Sequence, residues 1–314
     1  MASSTYLDQL DARLAAGLAK VPAEQLAPHR EFIVSNQRRD GGFPDRAGHP
    51  DLYYTGFALR ALAGLRALTP AIRDRVCGFI RQQPFPPSSI IDLLSLLYAA
   101  RLIRSVGGPE VLPANWRRDV LAAMETHRSP DGGYSKTPGG AVGSTYHTFL
   151  AALVCEMAGE KLREPRRFAA FLKSRRRDDG GFVELPVMKR SGTNPTAAAV
   201  GLGAMLARQS ATLSWLGRAS RFAGGAVRCL LALQDADGGF RANSVAPTAD
   251  LLSTFTALLT LDGLGALRRA DRAAAIRFTR ALAMRGGGFR GGAWDDRADV
   301  EYTFYGLGSL ALLA

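Results

Sequence analysis

Apolar positions recur along this chain at steps of three and four, the period of a helix with one buried face. Leucine and alanine hold that spacing over residues 5–19 and 24–37, so two helices precede the first turn. Asp51 then caps a run to about Leu68, in which Tyr54, Ala58, Ala61 and Leu65 share a face, and Pro70 opens a further helix to about Gln83. Ser88 or Ser89 caps a run through Ile103, and the same alternation predicts helices over 114–128, 144–158, 165–176, 195–208, 226–235, 250–263, 268–284 and 299–313. Pro195 is read as the first position of its helix, after Asn194. A short helix or loop with Trp215 fills the stretch from Gln209 to Gly225. No segment alternates with a period of two over a useful length, so essentially no sheet is expected.

One phrase punctuates the pattern. It reads Asp40-Gly41-Gly42-Phe43, Asp131-Gly132-Gly133-Tyr134, Asp179-Gly180-Gly181-Phe182, Asp237-Gly238-Gly239-Phe240 and Gly286-Gly287-Gly288-Phe289, with the first glycines 91, 48, 58 and 49 residues apart. The longest interval is close to two units, so a sixth, degenerate copy falls where Pro84, Pro86 and Pro87 replace the glycines. After each phrase comes a capping residue (Asp51, Ser144, Asn194, Asp250, Asp299), and four residues later Thr55, Thr148, Ala198, Thr254 or Thr303. Each unit therefore reads as outer helix, glycine turn, loop, cap and inner helix. Six such hairpins in series predict an all-α toroid, an α6–α6 barrel, as one domain over residues 1–314.

Composition agrees with a packed chain. Hydrophobic residues make up 47% of the 314 positions and charged ones 22%, which excludes disorder. No apolar stretch is long enough for a transmembrane segment, and the start at Met1-Ala2-Ser3 lacks a basic and then apolar leader. Cys77, Cys155 and Cys229 are odd in number and widely spaced, which argues against disulfides and fits the reducing cytoplasm. The net charge of +12 is spread over most segments. It reads as a solvated arginine-rich surface or as attraction to anionic partners, and no nucleic-acid signature accompanies it.

These phrases, in this order, resemble the repeat of the β subunits of protein prenyltransferases and, more distantly, of squalene-hopene and oxidosqualene cyclases. Leu230-x3-Gln234-x3-Gly238-x-Phe240 is similar to the cyclases' Gln-Trp repeat, and Asp299 to Leu310 resembles the terminal segment of geranylgeranyltransferase β subunits. The resemblance implies an isoprenoid or prenyl diphosphate ligand in a central aromatic cavity, and a helical-repeat α subunit as partner. It also implies a catalytic zinc on an Asp, a Cys two residues later and a His in the next repeat. Asp250 holds the first place, but Leu252 and Tyr302 hold the others, so zinc is not expected.

The candidate residues follow. His147, Asp250, Asp299 and Tyr302 are the catalytic candidates. His147 reads either as a satisfied lining histidine or as a base or ligand, and Asp250 and Asp299 read as helix caps or as acids. Tyr54, Tyr146, Phe255, Tyr305 and Trp294, with Arg190 and Arg241 as nearby cations, are the candidate walls of a ligand site. Asp295 and Asp296 read as carboxylates for a Mg²⁺-diphosphate, the single cofactor put forward. No Asp-x-Asp-Asp string of the type II cyclases is present. The expectation is a protein that transfers or rearranges a prenyl chain without zinc, with a non-catalytic lipid- or protein-binding toroid and a cyclase-like enzyme as the alternatives.

Overall fold

A computed structural model describes residues 4–217 and 220–314. The reading of Met1-Ala2-Ser3, and part of the stretch between Gln209 and Gly225, lie outside the described residues. In chain order the α-helices are α1 (Tyr6–Leu18), α2 (Ala23–Ser35), α3 (Leu52–Gly64), α4 (Pro70–Arg81), α5 (Ile90–Ser105), α6 (Trp116–Glu125), α7 (Thr145–Met157), α8 (Pro165–Arg175), α9 (Thr193–Gln209), α10 (Arg221–Leu231), α11 (Leu251–Gly263), α12 (Arg272–Ala281) and α13 (Val300–Leu313). Short 3-10 turns at Ala211–Leu216, which holds Trp215, and Leu267–Arg269 complete the helical set among the described residues.

Among the described residues sheet is confined to three antiparallel ribbons of two residues a side, which pair Phe43 with Asp51, Phe240 with Asp250 and Phe289 with Asp299. Each closes the loop between a glycine turn and its inner helix, and is too short to leave a period-two pattern in the sequence.

The packing forms two compact units. The first comprises the chain up to Ala123 with Thr279–Ala314, and the second Met124–Phe278. In the first, α3 lies between α5 and α13, and α1 packs on both α13 and α3. In the second, α9 lies between α7 and α11. The cores are the aromatic residues of the turns with the inner helices: Phe43, Leu59, Leu62 and Phe289 in one, Phe182, Leu202, Phe240 and Leu258 in the other, all fully buried.

The same lock holds the turn in all five places. The buried backbone N–H of the aromatic residue donates to a threonine hydroxyl: Phe43 to Thr55 at 2.9 Å, Tyr134 to Thr148 at 2.9 Å, Phe182 to Thr196 at 3.0 Å, Phe240 to Thr254 at 2.9 Å and Phe289 to Thr303 at 3.1 Å. In three of them the hydroxyl donates onward to the carbonyl of the capping residue, Thr148 to Ser144, Thr254 to Asp250 and Thr303 to Asp299. A buried donor without such a partner would carry its full desolvation cost, which accounts for the recurring threonine. Glycine is required for two reasons, seen at Gly41 and Gly238. Their φ angles are +97° and +94°, and a Cβ there would lie 2.0 Å from the Arg75 carbonyl oxygen and 2.2 Å from the Ala274 carbonyl carbon.

The structure corrects the fourth repeat by two residues. Helix α9 begins at Thr193 with Gly192 as its cap, so Asn194 and Pro195 are its second and third residues, and Thr196, not Ala198, holds the bridging place. The reason lies in the partners of Thr193. Its backbone N–H donates to the Ala242 carbonyl at 2.8 Å and its hydroxyl to the Arg241 carbonyl at 2.5 Å, so the helix start is satisfied from outside and needs no capping side chain. Helix α3 stops at Gly64 rather than Leu68, because Arg66 takes a φ of +53° and the Ala67 N–H returns to the Leu62 carbonyl at 2.8 Å. Helix α10 begins at Arg221, where Ser220 caps it through the Ala223 N–H at 3.2 Å. Helix α12 is shorter than the pattern suggested, since Asp271 accepts from the Ala274 N–H at 2.9 Å and starts it there.

Candidate functional site

On α3, Tyr53, Phe57, Arg60 and Gly64 fall at steps of three and four, and so form one stripe along the helix. Facing it, α13 contributes Glu301, Phe304 and Tyr305. Phe57 meets Tyr53 at 4.9 Å, Tyr305 at 5.2 Å and Phe304 at 5.4 Å between ring centroids, mostly edge to face. These rings make a continuous aromatic face with a single acid in it. The Tyr53 hydroxyl donates to Glu301 Oε1 at 2.6 Å and the Tyr305 hydroxyl donates to the same oxygen at 3.2 Å. Among the described residues Oε2 accepts no hydrogen bond. Burial raises the Glu301 pKa; the Tyr53 hydroxyl pulls it down, and the Asp299 charge adds to the rise. The group therefore keeps its proton to a higher pH than an exposed glutamate.

At the N-terminal end of both helices lies an ion-pair cluster. Arg46 donates to Asp295 at 3.2 and 2.6 Å and, through Nε, to Asp299 at 2.6 Å, while its guanidinium carbon sits 5.2 Å from the Tyr302 ring centroid. Asp299 also caps α13 through the Tyr302 N–H at 2.7 Å, and burial outweighs these donors to raise its pKa. Asp295 goes the other way. Burial opposes ionisation, but Arg46 and the N–H groups of Gly291 and Arg297 hold its carboxyl below the usual range. Asp51 caps α3 through the Tyr54 N–H at 2.6 Å, and burial, with nearby Asp45 and Asp92, pushes it up to about 6. The Tyr54 hydroxyl is likewise raised by burial, beside Glu301 and Asp299.

The predicted residues thus divide. Tyr54, Asp295, Asp299, Tyr302 and Tyr305 come together in the first unit. His147, Asp250, Tyr146, Phe255, Arg190 and Arg241 belong to the second. There, His147 Nδ1 is 2.9 Å from the Ser144 hydroxyl, which caps α7 and also bonds Glu184. Burial, then the charges of Lys136 and His127, lower the His147 pKa to about 4, so the ring is neutral. Asp250 is the cap of α11, bonded by the Ser253 N–H and hydroxyl at 2.7 Å each, and burial raises its pKa. Tyr146 packs edge to face on His147, and Phe255 is buried. Arg190 is exposed, and Arg241 lies 3.9 Å from Asp235. Trp294 is 61% exposed in its loop and does not join the aromatic face.

Asp295 and Asp296 do not fit a Mg²⁺ site. Both oxygens of Asp295 are committed to Arg46, and Oδ2 also accepts from the Gly291 N–H at 2.9 Å, while Asp296 is exposed. Among the described residues no group of three His, Cys, Asp or Glu is placed to hold a metal ion.

Arg46, Arg60 and Glu301 are not among the candidates that the sequence pattern offers, whereas Tyr53 belongs to the aromatic cluster at the inner-helix starts. A signal exists for Glu301, since aligning repeats on their caps puts Tyr53, Tyr146, Asn194, Leu252 and Glu301 at one position, two residues after the cap. Only Glu301 is ionisable below neutral pH among these. Arg46 sits in a loop of irregular length, and no periodicity marks it.

Comparison with known proteins places this geometry. The model of the prenyltransferase alpha-alpha toroid domain matches residues 17–81 and 91–313. No curated protein matches the sequence. Among solved structures, Candida albicans protein geranylgeranyltransferase-I complexed with GGPP is similar at 15% identity, over 91% of this chain and 90% of that one, with a TM-score of 0.70. A variant of the type II terpene cyclase MstE from Scytonema, holding its substrate geranylgeranyl dihydroxybenzoate, is similar at 14% identity over 97% and 98%, with a TM-score of 0.62. The unsaturated glucuronyl hydrolase of Bacillus sp. GL1 is similar at 17% identity over 96% and 95%, with a TM-score of 0.61. At such identities the likeness is one of fold, and these folds serve isoprenoids and sugars alike.

Proposed function

The chain belongs to the prenyltransferase alpha-alpha toroid domain family, and from that premise we propose that it binds an isoprenoid chain along the α3–α13 aromatic face and rearranges it by proton transfer from Glu301. The observation that carries this reading is the acid itself: a half-buried carboxyl, set among rings, with two tyrosine hydroxyls on one oxygen and no hydrogen bond to the other among the described residues. Two of the similar structures hold geranylgeranyl ligands, which supports an isoprenoid as the ligand class.

Protonated Glu301 gives its proton to an alkene carbon, whose π pair becomes the new C–H bond and leaves a carbocation. The π faces of Phe57, Phe304 and Tyr305 stabilise that cation. The tyrosine hydroxyls stabilise the carboxylate left behind, and loss of a proton from a carbon next to the cation restores both alkene and acid. Zinc-activated thiolate chemistry is not part of the proposal, since Leu252 offers no lone pair and Tyr302 offers a phenol in place of imidazole. A reducing cytoplasm is the proposed setting, consistent with three buried thiols that form no disulfide.

The test is a titration with geranylgeranyl diphosphate and geranylgeranyl dihydroxybenzoate, followed by mass and chromatographic analysis of products. Saturable binding and an isomeric product are expected, with turnover falling about 100-fold or more in Glu301→Gln while binding persists. Absence of binding, or undiminished turnover in Glu301→Gln, defeats the reading. A second reading, a non-catalytic binding toroid, is favoured by one observation: Arg46 ties up Asp295 and Asp299 and lies over Tyr302. It is the outcome if the isoprenoid binds and is recovered unchanged.

A further inference from the structure

Further along α3 the aromatic stripe ends at a cavity of about 330 Å³, lined by α1, α3, α5 and Phe304. Four charged side chains reach it, and three of them are paired. Arg101 bonds both Asp8 and Asp11, and Asp11 also takes the hydroxyl of Tyr98. Arg60 is the fourth, and no hydrogen bond or ion pair holds it among the described residues. Its guanidinium carbon lies 4.1 Å from the Phe304 ring centroid, 4.8 Å from Tyr98 and 5.3 Å from Phe57, and its Nε is buried without an acceptor. Three rings thus hold a planar cation in place while its buried Nε is left without an acceptor, which costs that group's desolvation with nothing in return.

The geometry points to a ligand subsite here: Arg60 receives the carboxylate of a small amphipathic acid, whose apolar arm lies against Leu14, Leu102 and Phe304. A carboxylate matches the fork of a guanidinium and accepts two parallel hydrogen bonds. A monoanion is favoured over a phosphate dianion because Asp8 and Asp11 line the same cavity, and each added negative charge meets them. The lining supplies the counter-charge once, through Arg60. This subsite stands without the isoprenoid reading, because it requires only an acid with a short alkyl arm.

The experiment is calorimetric titration of the full chain with hexanoate, and with hexanol and inorganic phosphate as controls. Hexanoate is expected to bind saturably, and both controls at least about tenfold more weakly, the equivalent of one charge-assisted hydrogen bond. Arg60→Met keeps the stem against the rings and removes the donors, so hexanoate affinity falls about tenfold or more while hexanol binding is unchanged. Arg60→Lys keeps the charge and loses the fork, and gives an intermediate affinity; it serves as the test should Arg60→Met fail to fold. Equal affinity for hexanoate and hexanol overturns the subsite, as does parent-like hexanoate affinity in the variant that folds, or no saturable hexanoate binding at all.

Discussion

The two units use one turn and one cap position for different ends. In the second, the carboxylate of a glycine turn is closed by the donors around it. Arg175, only 2% exposed, bonds Asp131 of the glycine turn, donates to the Gly143 carbonyl at 3.1 Å and stacks on Phe171. Burial works against Asp131, yet the Ser129 hydroxyl, the Gly143 N–H and Arg175 together hold its pKa low. Polar side chains at the helix starts pair there as well, as in Ser144 with Glu184 or Asn194 with Thr256 at 2.7 Å. In the first unit Glu301 Oε2 and the Arg60 guanidinium make no hydrogen bond among the described residues. A repeat protein can therefore carry its stability in one stretch and leave unspent polar groups in another, on the same backbone.

Three measurements break or sharpen that contrast. The largest effect is expected for Arg175→Met, which strands Asp131 beside a buried turn and destabilises by about 3 kcal/mol in urea unfolding. Arg46→Met strands Asp295 and Asp299, but at a pair whose arginine is 38% exposed, so about 1 kcal/mol is expected after allowance for solvent screening. A larger loss for Arg46→Met than for Arg175→Met reverses the assignment of roles. The smallest effect separates the units by pH. The His147 pKa is depressed in the fold, so its contribution is complete above the unfolded value of 6.5 and is lost as pH falls toward about 4. The Asp51 pKa is raised, so its contribution is complete below 3.8 and is lost as pH rises through about 6. His147→Gln should flatten the acid side of a midpoint-against-pH curve and Asp51→Asn, which keeps the cap, should lift the neutral side. Identical curves for both variants mean that neither group titrates as the geometry requires.

The fold was legible in the sequence because glycine turns and capping residues are local. A positive φ and a helix start are decided within a few residues, so Asp51, Ser144, Asp250 and Asp299 could be placed as caps and are found there. The fourth repeat failed for a non-local reason: its helix start leans on Ala242 and Arg241, fifty residues away in round terms, and Asn194 only looked like a cap. The candidate site was half legible. Tyr54, Tyr302, Tyr305 and Asp299 stand where the resemblance directed attention. Arg46 and Glu301 matter through partners some 250 positions distant, and no window of sequence contains such a pair. Asp295 shows the converse, since its acidic string suggests a cation and the cation turns out to be a side chain.

The threonine lock has a further consequence, for how such a chain drifts over generations. Because each turn is fastened by a glycine, a ring and one hydroxyl, the second position after every cap takes no part in that lock and is free to change its chemistry. Leucine at 252 and glutamate at 301 occupy equivalent sockets in the same frame. Mutation can strip one socket of its reactive group and load another without ever passing through an unfolded ancestor.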